Sequence, residues 1–188
     1  MGPEVKKRTL SVEDNGGFDE TAAAGTALIG LGGNVGDPLA YCREAVRTLA
    51  EHPHVRLVRC SSFYRTEPVG KIDQSWFVNG AALCSTPLQP EELLALLQEL
   101  EWRCGRVRRE RWGPRSLDLD LLSFGRMVLE SERLTLPHPR IHERRFVLVP
   151  LLEIAPRWRH PVFGRTAREL LDALDGVPGQ AVEFLESP

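Results

Sequence analysis

The chain has 188 residues, of which 24 are basic and 26 acidic, so its net charge is -2 at pH 7. With 42% hydrophobic and 27% charged residues, it has the composition of an ordinary globular protein, long enough for one well-filled domain and too short for two. The near balance of charge excludes a wholly basic nucleic-acid binder. The basic residues are 21 arginines and three lysines. Arginine predominates where phosphate or carboxylate is bound in a bidentate way, although a GC-rich coding sequence produces the same bias.

The four cysteines are scattered singly through apolar stretches, and no two are spaced closely enough for a zinc or redox motif. No hydrophobic segment approaches the roughly 20 residues that span a bilayer, and polar residues follow the basic start at residues 6–8. The sequence therefore predicts a cytoplasmic protein with no membrane partner. The residues predicted to be buried free thiols are Cys42, Cys60, Cys84 and Cys104.

The first half of the chain alternates between short apolar runs and glycine or proline turns. Residues 1–25 show neither helical nor strand periodicity, which predicts a disordered leader. An apolar run from Thr26 to Leu31 predicts a buried strand that enters a glycine turn at residues 32–36. Asp37 is placed to cap a helix that has Pro38 at its first position and ends near residue 52.

The following elements complete a recognisable order. β-branched and aromatic residues predict paired strands at 55–65 and 76–85, a second helix starts near Pro90 and stops at Gly105, and the alternation over 116–122 predicts a half-buried strand. Residues 26–122 therefore run β-α-β-β-α-β, which predicts an α+β, ferredoxin-like fold with two helices on one face of an antiparallel sheet. The rest of the predicted single domain, 26–175, is an added β-hairpin at 127–138 and C-terminal helices at 145–155 and 166–174, followed by a tail at 176–188.

Two aspartates lie two positions apart on the last strand of this core. Asp118 and Asp120 leave the same face about 6.6–7 Å apart, while the neighbouring leucines face the core. Two carboxylates on one face repel unless they are solvated or bridged by cations, and such hard oxygen ligands suit Mg2+ that shares its coordination shell with phosphates. The plainer alternative is a solvent-exposed strand face that keeps the protein soluble.

An arginine-rich loop precedes that strand, since residues 101–115 hold six arginines against two acids. The segment contains Gly105, Gly113 and Pro114, which favour a loop over a helix face. Guanidinium groups beside metal-binding carboxylates predict a polyphosphate site, where positioning and charge neutralisation do most of the catalytic work. A solvated loop with surface ion pairs is the alternative. The arginines are Arg103, Arg106, Arg108, Arg109, Arg111 and Arg115.

A histidine and several ring or amide side chains are further candidates. His138 lies at a proline turn, and nothing in the sequence shows a partner that would tune it as a general base, so it is predicted as a donor to phosphate if it is not simply structural. Phe77, Trp112 and Phe146 could stack on a flat ring, and Asn79 offers an amide to the donor and acceptor edge of a heterocycle. On pattern alone, each of these four is more often a core residue.

Five segments carry a family resemblance, in order along the chain. They are Leu31-Gly-Gly-Asn-Val-Gly36, Ser61-Ser-Phe-Tyr-Arg-Thr66, Gly105-Arg-Val-Arg108, Arg111-Trp-Gly-Pro-Arg-Ser-Leu-Asp-Leu-Asp120 and Leu136-Pro-His138. Together they resemble the 6-hydroxymethyl-7,8-dihydropterin pyrophosphokinases over about residues 26–174, and the fourth segment is long and specific. The resemblance implies a ferredoxin-like core and an enzyme of folate biosynthesis that transfers pyrophosphate from ATP to the pterin hydroxymethyl group and releases AMP.

The resemblance also implies a role for each matching residue. Asp118 and Asp120 match the ligands of two Mg2+ ions that bridge the phosphates of the co-substrate ATP, and Arg106 and Arg115 match catalytic-loop arginines. The residues that match ATP contacts are Gln98, Glu101, Arg108, Trp112, Arg115, Arg133, Thr135, His138 and Arg144. The residues that match pterin contacts are Thr66, Pro68, Val69, Phe77, Asn79, Trp112 and Phe146.

Three features depart from the family's pattern. Glu67 stands where proline is common, and Phe77 stands where tyrosine is common. The loop between Arg108 and Trp112 is one residue shorter than a common family form. These differences concern the stiffness of the loop beside the pterin, one hydroxyl contact and the closing motion of the arginine loop.

Two other functions share parts of this pattern. An RNA-recognition module has the same β-α-β-β-α-β order and stacks bases on sheet aromatics, but Asp118 and Asp120 would oppose a phosphate backbone, and the basic-aromatic strand motif is missing. A magnesium-dependent phosphohydrolase would use water where the pterin alcohol attacks, so a required acceptor distinguishes the two enzymes. We predict a monomer that binds ATP and the pterin and does not bind nucleic acid.

Overall fold

The computed structural model describes residues 6–9 (backbone only), 23, 25–70, 73–104 and 113–188. Helices and antiparallel strands are mixed in these residues, which confirms the α+β prediction. The strands are β1 (Lys6–Thr9), β2 (Thr26–Gly33), β3 (Arg56–Cys60), β4 (Phe63–Thr66), β5 (Phe77–Ser85), β6 (Asp118–Phe124), β7 (Met127–Glu130), β8 (Thr135–Leu136) and β9 (Val182–Glu186). The helices are α1 (Pro38–Glu51), α2 (Pro90–Arg103), α3 (Arg145–Ile154) and α4 (Ala167–Asp172), with a 3-10 turn at Ile141–Glu143.

A six-stranded sheet forms the centre of the molecule. Its strands pair antiparallel in the order β6-β2-β5-β4-β9, and β3 also pairs with β5. The predicted β-α-β-β-α-β order holds from β2 to β6, except that the strand predicted over 55–65 is divided at Ser61 and Ser62. The Ser62 N–H and hydroxyl each donate a 2.9 Å hydrogen bond to the Glu153 carboxylate. The interruption is therefore fastened to α3.

The residues of β2 alternate between two faces of the sheet, and each face has its own core. Ala27, Ile29 and Leu31 belong to the core that α1 and α2 cover. Leu28 points the other way, into a second core that includes α3, α4 and the buried Trp158. Helices α1 and α2 therefore cover one face of the sheet, and α3 and α4 cover part of the opposite face, which the ferredoxin-like prediction left without helices.

The helix boundaries follow from local signals. Asp37 Oδ1 accepts a hydrogen bond from the Ala40 N–H at 3.0 Å, so the predicted cap of α1 is confirmed. α2 begins at Pro90, and α4 is capped by Thr166, whose hydroxyl accepts from the Glu169 N–H at 3.2 Å. Among the residues that the structure describes, no helix is both long and apolar enough to cross a membrane.

Both ends of the chain contain strands that the sequence did not predict. β1 lies within the predicted leader and pairs antiparallel with β7, which also pairs with β8. Most other leader residues lie outside the described residues. β9 lies within the predicted tail and pairs with β4. Local pattern could not reveal these pairings, because an edge strand takes its register from a partner distant in the chain.

The four cysteines are free thiols, as predicted, but their burial differs. Cys42 and Cys84 are buried, and burial raises the pKa of each to about 12. Cys60 and Cys104 are only half-buried, which corrects the prediction that all four lie in the core.

Candidate functional site

A cavity of about 420 Å³ opens on the sheet face that α3 and α4 leave uncovered. Its floor includes Gly30 and Gly32 of β2, which have no side chains to fill it. The antiparallel register sets their neighbours, since Gly32 lies between Asp118 of β6 and Asn79 of β5, and Gly30 lies beside Asp120. Two strand glycines thus form a trough between an edge that carries carboxylates and an edge that carries an amide.

The acidic wall of the cavity consists of Asp118 and Asp120 with two arginines. The buried Leu119 separates the aspartates, so both carboxylates point into the cavity, as the alternation predicts. Arg115 Nη1 lies 2.6 Å from Asp118 Oδ2, and Arg144 Nη1 lies 3.6 Å from Asp120 Oδ2. Burial lowers the pKa of Arg144, and Asp120 opposes that shift. Each carboxylate therefore has a guanidinium beside it, in the planar form that also binds phosphate.

His138 is held beside the acidic wall by its backbone. Its N–H donates to the Leu122 carbonyl of β6 at 2.8 Å. Burial lowers the pKa of His138 to about 4, Arg144 and Arg140 also lower it, and Asp118 opposes the shift. The imidazole is therefore neutral at pH 7, and because Nδ1 accepts from the Arg140 N–H at 3.1 Å, the proton resides on Nε2. A neutral Nε2–H is a hydrogen-bond donor, which suits an anionic ligand.

The amide wall, across Gly32 from Asp118, consists of Asn79 and Thr66. Two aromatic rings of the cavity lie beside the arginines of the acidic wall, since the Arg115 guanidinium carbon is 5.6 Å from the centre of the Phe77 ring and that of Arg144 is 5.5 Å from the centre of the Phe146 ring. Asn79 Nδ2 donates to Thr66 Oγ1 at 2.6 Å. A β-carbon on Gly32 would collide with Asn79 Oδ1, so the amide oxygen lies over the cavity floor. Phe77 lies two residues earlier on β5, and Phe146 stands at the start of α3. An amide oxygen in a cavity that two aromatic rings also line fits a flat heterocycle that presents N–H donors.

Asn34, in the turn after β2, ties together three segments around the cavity. Its Nδ2 donates to Gln74 Oε1 and to the Ser75 carbonyl, each at 3.1 Å. Its Oδ1 accepts from the Arg115 N–H at 3.0 Å, and its own N–H donates to the Arg115 carbonyl at 2.9 Å. The backbone that carries Arg115 is therefore fixed relative to the loop before β5.

The predicted site residues fall into three groups. Glu101 is buried instead of lining the cavity, and its Oε1 accepts from the Leu119 N–H at 2.7 Å, so it supports β6 between the two aspartates. Those that line the cavity are Thr66, Val69, Phe77, Asn79, Arg115, Asp118, Asp120, His138, Arg144 and Phe146. Those described elsewhere in the structure are Pro68, Gln98, Glu101, Arg133 and Thr135. Those outside the described residues are Arg106, Arg108 and Trp112.

Several lining residues were not chosen from the sequence. Glycines at alternate positions of an apolar strand were an available signal, because they indicate close approach of a ligand or of another chain segment. Gln74 had no local signal, since its place depends on Asn34. The additional lining residues are Gly30, Leu31, Gly32, Glu67, Gln74, Gly80, Leu122, Pro139, Arg140 and Val147.

The two aspartates fit a hard divalent cation that arrives with a phosphate ligand. Their side chains are 20% and 38% exposed, which leaves room for water ligands. Within the described ranges, no group of three or more His, Cys, Asp or Glu side chains could hold a metal by itself. Mg2+ commonly takes one or two protein carboxylates and completes its shell with water and phosphate oxygens. The donor set therefore suits magnesium better than a metal held in a cage of protein ligands.

The cavity combines carboxylates and guanidinium groups, which suit a metal-bound phosphate, with an amide and two aromatic rings, which suit a flat heterocycle. The family model for 7,8-dihydro-6-hydroxymethylpterin-pyrophosphokinase (HPPK) matches residues 28–156. The 2-amino-4-hydroxy-6-hydroxymethyldihydropteridine pyrophosphokinase of Bacillus subtilis is 51% identical over 128 residues, which are 68% of this chain and 77% of that protein. The protein of the same name from Synechocystis sp. is 45% identical over 149 residues, which are 79% of this chain and 76% of that protein. The chain therefore belongs to the HPPK family and is a pyrophosphokinase of folate biosynthesis.

Solved structures share the fold at much lower sequence identity. The crystal structure of wild-type HPPK-DHPS from Plasmodium falciparum aligns with 79% of this chain at a TM-score of 0.60 and 15% identity. Its triple mutant S436F/A437G/A613T aligns with a TM-score of 0.61. This chain covers 43% of the length of each of those proteins. At such low identity the likeness concerns the fold alone.

Proposed function

We propose that this chain transfers pyrophosphate from ATP to 6-hydroxymethyl-7,8-dihydropterin in the cavity above Gly30 and Gly32. The hydroxymethyl oxygen bonds to the β-phosphorus, the bond from that phosphorus to the oxygen of the α-phosphate breaks, and the hydroxyl proton is released. The products are the pterin diphosphate and AMP. The observation that carries this proposal is the presence of an acidic wall and an amide wall on the same cavity, in a chain of this family.

At the acidic wall, Asp118 and Asp120 would hold magnesium, and we propose two ions, as the family resemblance implies. Bound magnesium would neutralise the phosphates and make the β-phosphorus a better electrophile. Arg115 and Arg144, which are already within ion-pair distance of the acids, would donate to phosphate oxygens. His138 would add a neutral Nε2–H donor, as expected for a histidine that binds phosphate and does not remove a proton.

At the amide wall, Asn79 would accept hydrogen bonds from the pterin ring. Its Nδ2 is engaged by Thr66 Oγ1, which orients the amide so that Oδ1 faces the cavity. Phe77 and Phe146 would stack against the two faces of the heterocycle, and Val69 would close its edge. Because Phe77 has no hydroxyl, this contact is apolar, whereas a tyrosine would add a hydrogen bond.

The remaining predicted residues complete the proposal. Arg106 and Arg115 would stabilise the charge that develops on the transferred group, and closure of the loop at 105–112 would bring Arg106 to it. Glu101 would act indirectly, through its hydrogen bond to the backbone between the two aspartates. The other proposed contacts are Gln98, Arg108, Trp112, Arg133 and Thr135 for ATP and Pro68 and Trp112 for the pterin.

A component-omission assay tests the proposed reaction. AMP is measured with ATP, magnesium and reduced hydroxymethylpterin together, and then with each component left out in turn. We expect AMP only in the complete mixture, with one pterin diphosphate formed for each AMP. AMP formation without the pterin would contradict the proposal and favour the phosphohydrolase.

Neither alternative function is favoured. The aspartates of β6 lie on the sheet face that an RNA-recognition module would present to its ligand, and the acids would repel the phosphate backbone. The phosphohydrolase does not explain an amide and two aromatic rings in the same cavity as the acids. A monomeric state and a cytoplasmic location stay predictions, which sedimentation of the purified chain and fractionation of cells would test.

A further inference from the structure

The C-terminal segment, residues 180–186, touches two parts of the cavity wall although it lies outside the family match at 28–156. It contains Gln180 and Ala181 followed by β9. The first part is residues 66 and 67, which we call the rim, and the second is the start of α3. The segment itself supplies none of the lining residues described for the cavity.

At the rim, Glu67 and Ala181 bond to each other at two points. The Glu67 N–H donates to the Ala181 carbonyl at 3.0 Å, and the Ala181 N–H donates to Glu67 Oε2 at 3.2 Å. The proline that the family resemblance implies at this position has no N–H and no carboxylate, so it could make neither bond. Glu67 therefore makes two hydrogen bonds to Ala181 of the C-terminal segment that a proline at this position would lack.

The pairing of β9 with β4 connects the rim contact to the amide wall. Val182 lies opposite Thr66 in the register of β9 and β4. Thr66 accepts the hydrogen bond from Asn79 Nδ2 at 2.6 Å. The backbone of Thr66 is thus held on one side by β5 and on the other by β9, which fixes the acceptor that orients the amide.

At the start of α3, Gln180 makes the second attachment. Its Oε1 accepts a hydrogen bond from the Arg145 N–H at 2.9 Å. This N–H belongs to the first turn of the helix, where backbone donors have no partner within the helix. Arg144 and Phe146, the residues on either side, both line the cavity.

We infer that the C-terminal segment is a positioning element for the pterin end of the cavity. It bonds to the rim through Ala181 and to the start of α3 through Gln180, and so it sets the separation between Thr66 with its partner Asn79 and the ring of Phe146. This inference rests on the proposed function, because it assigns the pterin to that end. Both rim bonds of the segment lie at the pterin end, and only its bond at the start of α3 adjoins the acidic wall, through Arg144. Nucleotide binding should therefore depend on the segment less than pterin binding does.

Equilibrium binding to full-length and altered chains tests the inference. Pterin affinity is measured with magnesium and an ATP analogue that cannot transfer pyrophosphate, and analogue affinity is measured without pterin. The altered chains are one that ends at Gly179, Gln180→Ala, and Gln180→Glu, which keeps an oxygen acceptor for the Arg145 N–H. Glu183→Gln is the matched control, because this exposed β9 side chain lies away from the cavity. Thermal unfolding of each variant accompanies the binding data.

We expect the pterin Kd to rise about three- to fivefold in Gln180→Ala, as the loss of one hydrogen bond predicts. In the chain that ends at Gly179, which loses three hydrogen bonds, it should rise about 30-fold or more. Gln180→Glu and Glu183→Gln should stay within about twofold of wild type for both ligands, and the other two variants should lose clearly less affinity for the analogue than for the pterin. Gln180→Ala keeps β9, so it tests the inference even if the shortened chain fails to fold.

Two results would overturn the inference alone. One is wild-type pterin affinity in Gln180→Ala and in the shortened chain, and the other is an equal loss of pterin and analogue affinity, which would indicate a general structural role. If the wild-type chain bound the analogue but no pterin, the proposed function would fail together with this inference.

Discussion

Replacing Gly32 with alanine tests whether the bare floor of the cavity sets the position of the pterin-recognising amide. The added methyl group would collide with Asn79 Oδ1, so the amide must turn or move aside. Either change disturbs the 2.6 Å hydrogen bond from Asn79 Nδ2 to Thr66 Oγ1 and removes the amide oxygen from its place over the floor.

The size of the effect follows from the hydrogen bonds at stake. The bond to Thr66 and one bond to the pterin ring are worth about 1–1.5 kcal/mol each in a buried site. The combined loss of about 2–3 kcal/mol corresponds to a roughly 30- to 150-fold loss of pterin recognition, since about 1.4 kcal/mol is a factor of ten. The three nearest atoms to the new methyl group belong to Asn79 and Val78, so the loss should fall mainly on pterin recognition.

The assay is AMP release with each substrate limiting in turn. We expect kcat/KM for the pterin to fall by the stated factor in Gly32→Ala while KM for ATP stays within about twofold. Gly30→Ala is the matched comparison, because it adds the same methyl group to the same floor but its nearest atoms belong to the Leu122 side chain at 3.4 Å, an ordinary contact, so it separates loss of floor space from displacement of the amide. Wild-type kcat/KM in Gly32→Ala, or the same loss in Gly30→Ala, would refute the reasoning.

Three further predictions concern the acids and a buried histidine. Asp118→Ala and Asp120→Ala should each reduce turnover by about 10²- to 10³-fold with little change in Tm, because both side chains point into the cavity; circular dichroism and AMP release check this. Glu101→Ala should lower the free energy of unfolding by about 2 kcal/mol by leaving the buried Leu119 N–H without its carboxylate, whereas Glu101→Gln should lose less in the same urea titration. Burial lowers the pKa of His160 from 6.5 to about 4, so the unfolded chain takes up the proton at a higher pH than the folded chain does. The free energy of unfolding should therefore fall by up to about 3 kcal/mol as the pH is lowered from 6.5 to 4. Unfolding titrations of wild type and His160→Gln over that range should differ in slope, and equal slopes would contradict the assignment.

The parts of the site that could be predicted from the sequence are those fixed by local geometry. A strand has a period of two, so Asp118 and Asp120 had to share a face once residues 116–122 were recognised as a strand. Asp37 capped its helix as predicted, because a cap involves residues only three apart. His138 came into the cavity with its turn, since that turn follows directly on β8.

The parts that could not be predicted depend on register and on contacts between distant residues. The glycines of β2 became a cavity floor only because Gly32 pairs with Asn79 on one side and Asp118 on the other, and no local pattern fixes that register. Glu101 has the residue type and position of a ligand contact, yet its helix turns it inward to the backbone of β6. Nothing in the sequence of β9 identifies β4 as the strand with which it pairs.

The cavity owes its shape to residues that do not line it. Asn34 fixes the backbone of Arg115, Glu101 fixes β6 between the aspartates, and Gln180 fixes the start of α3, each through a side-chain bond to the backbone of another segment. A side chain that holds a distant backbone removes conformational freedom before a ligand arrives, so less binding free energy is spent on ordering the site. Loss of such an anchor should therefore weaken substrate binding even where the lining residues are unchanged. The three anchors hold different parts of the cavity, so substitutions should separate them. Loss of Glu101 should weaken nucleotide binding most and loss of Gln180 should weaken pterin binding most, whereas loss of Asn34, which bonds to segments on both sides, should weaken both.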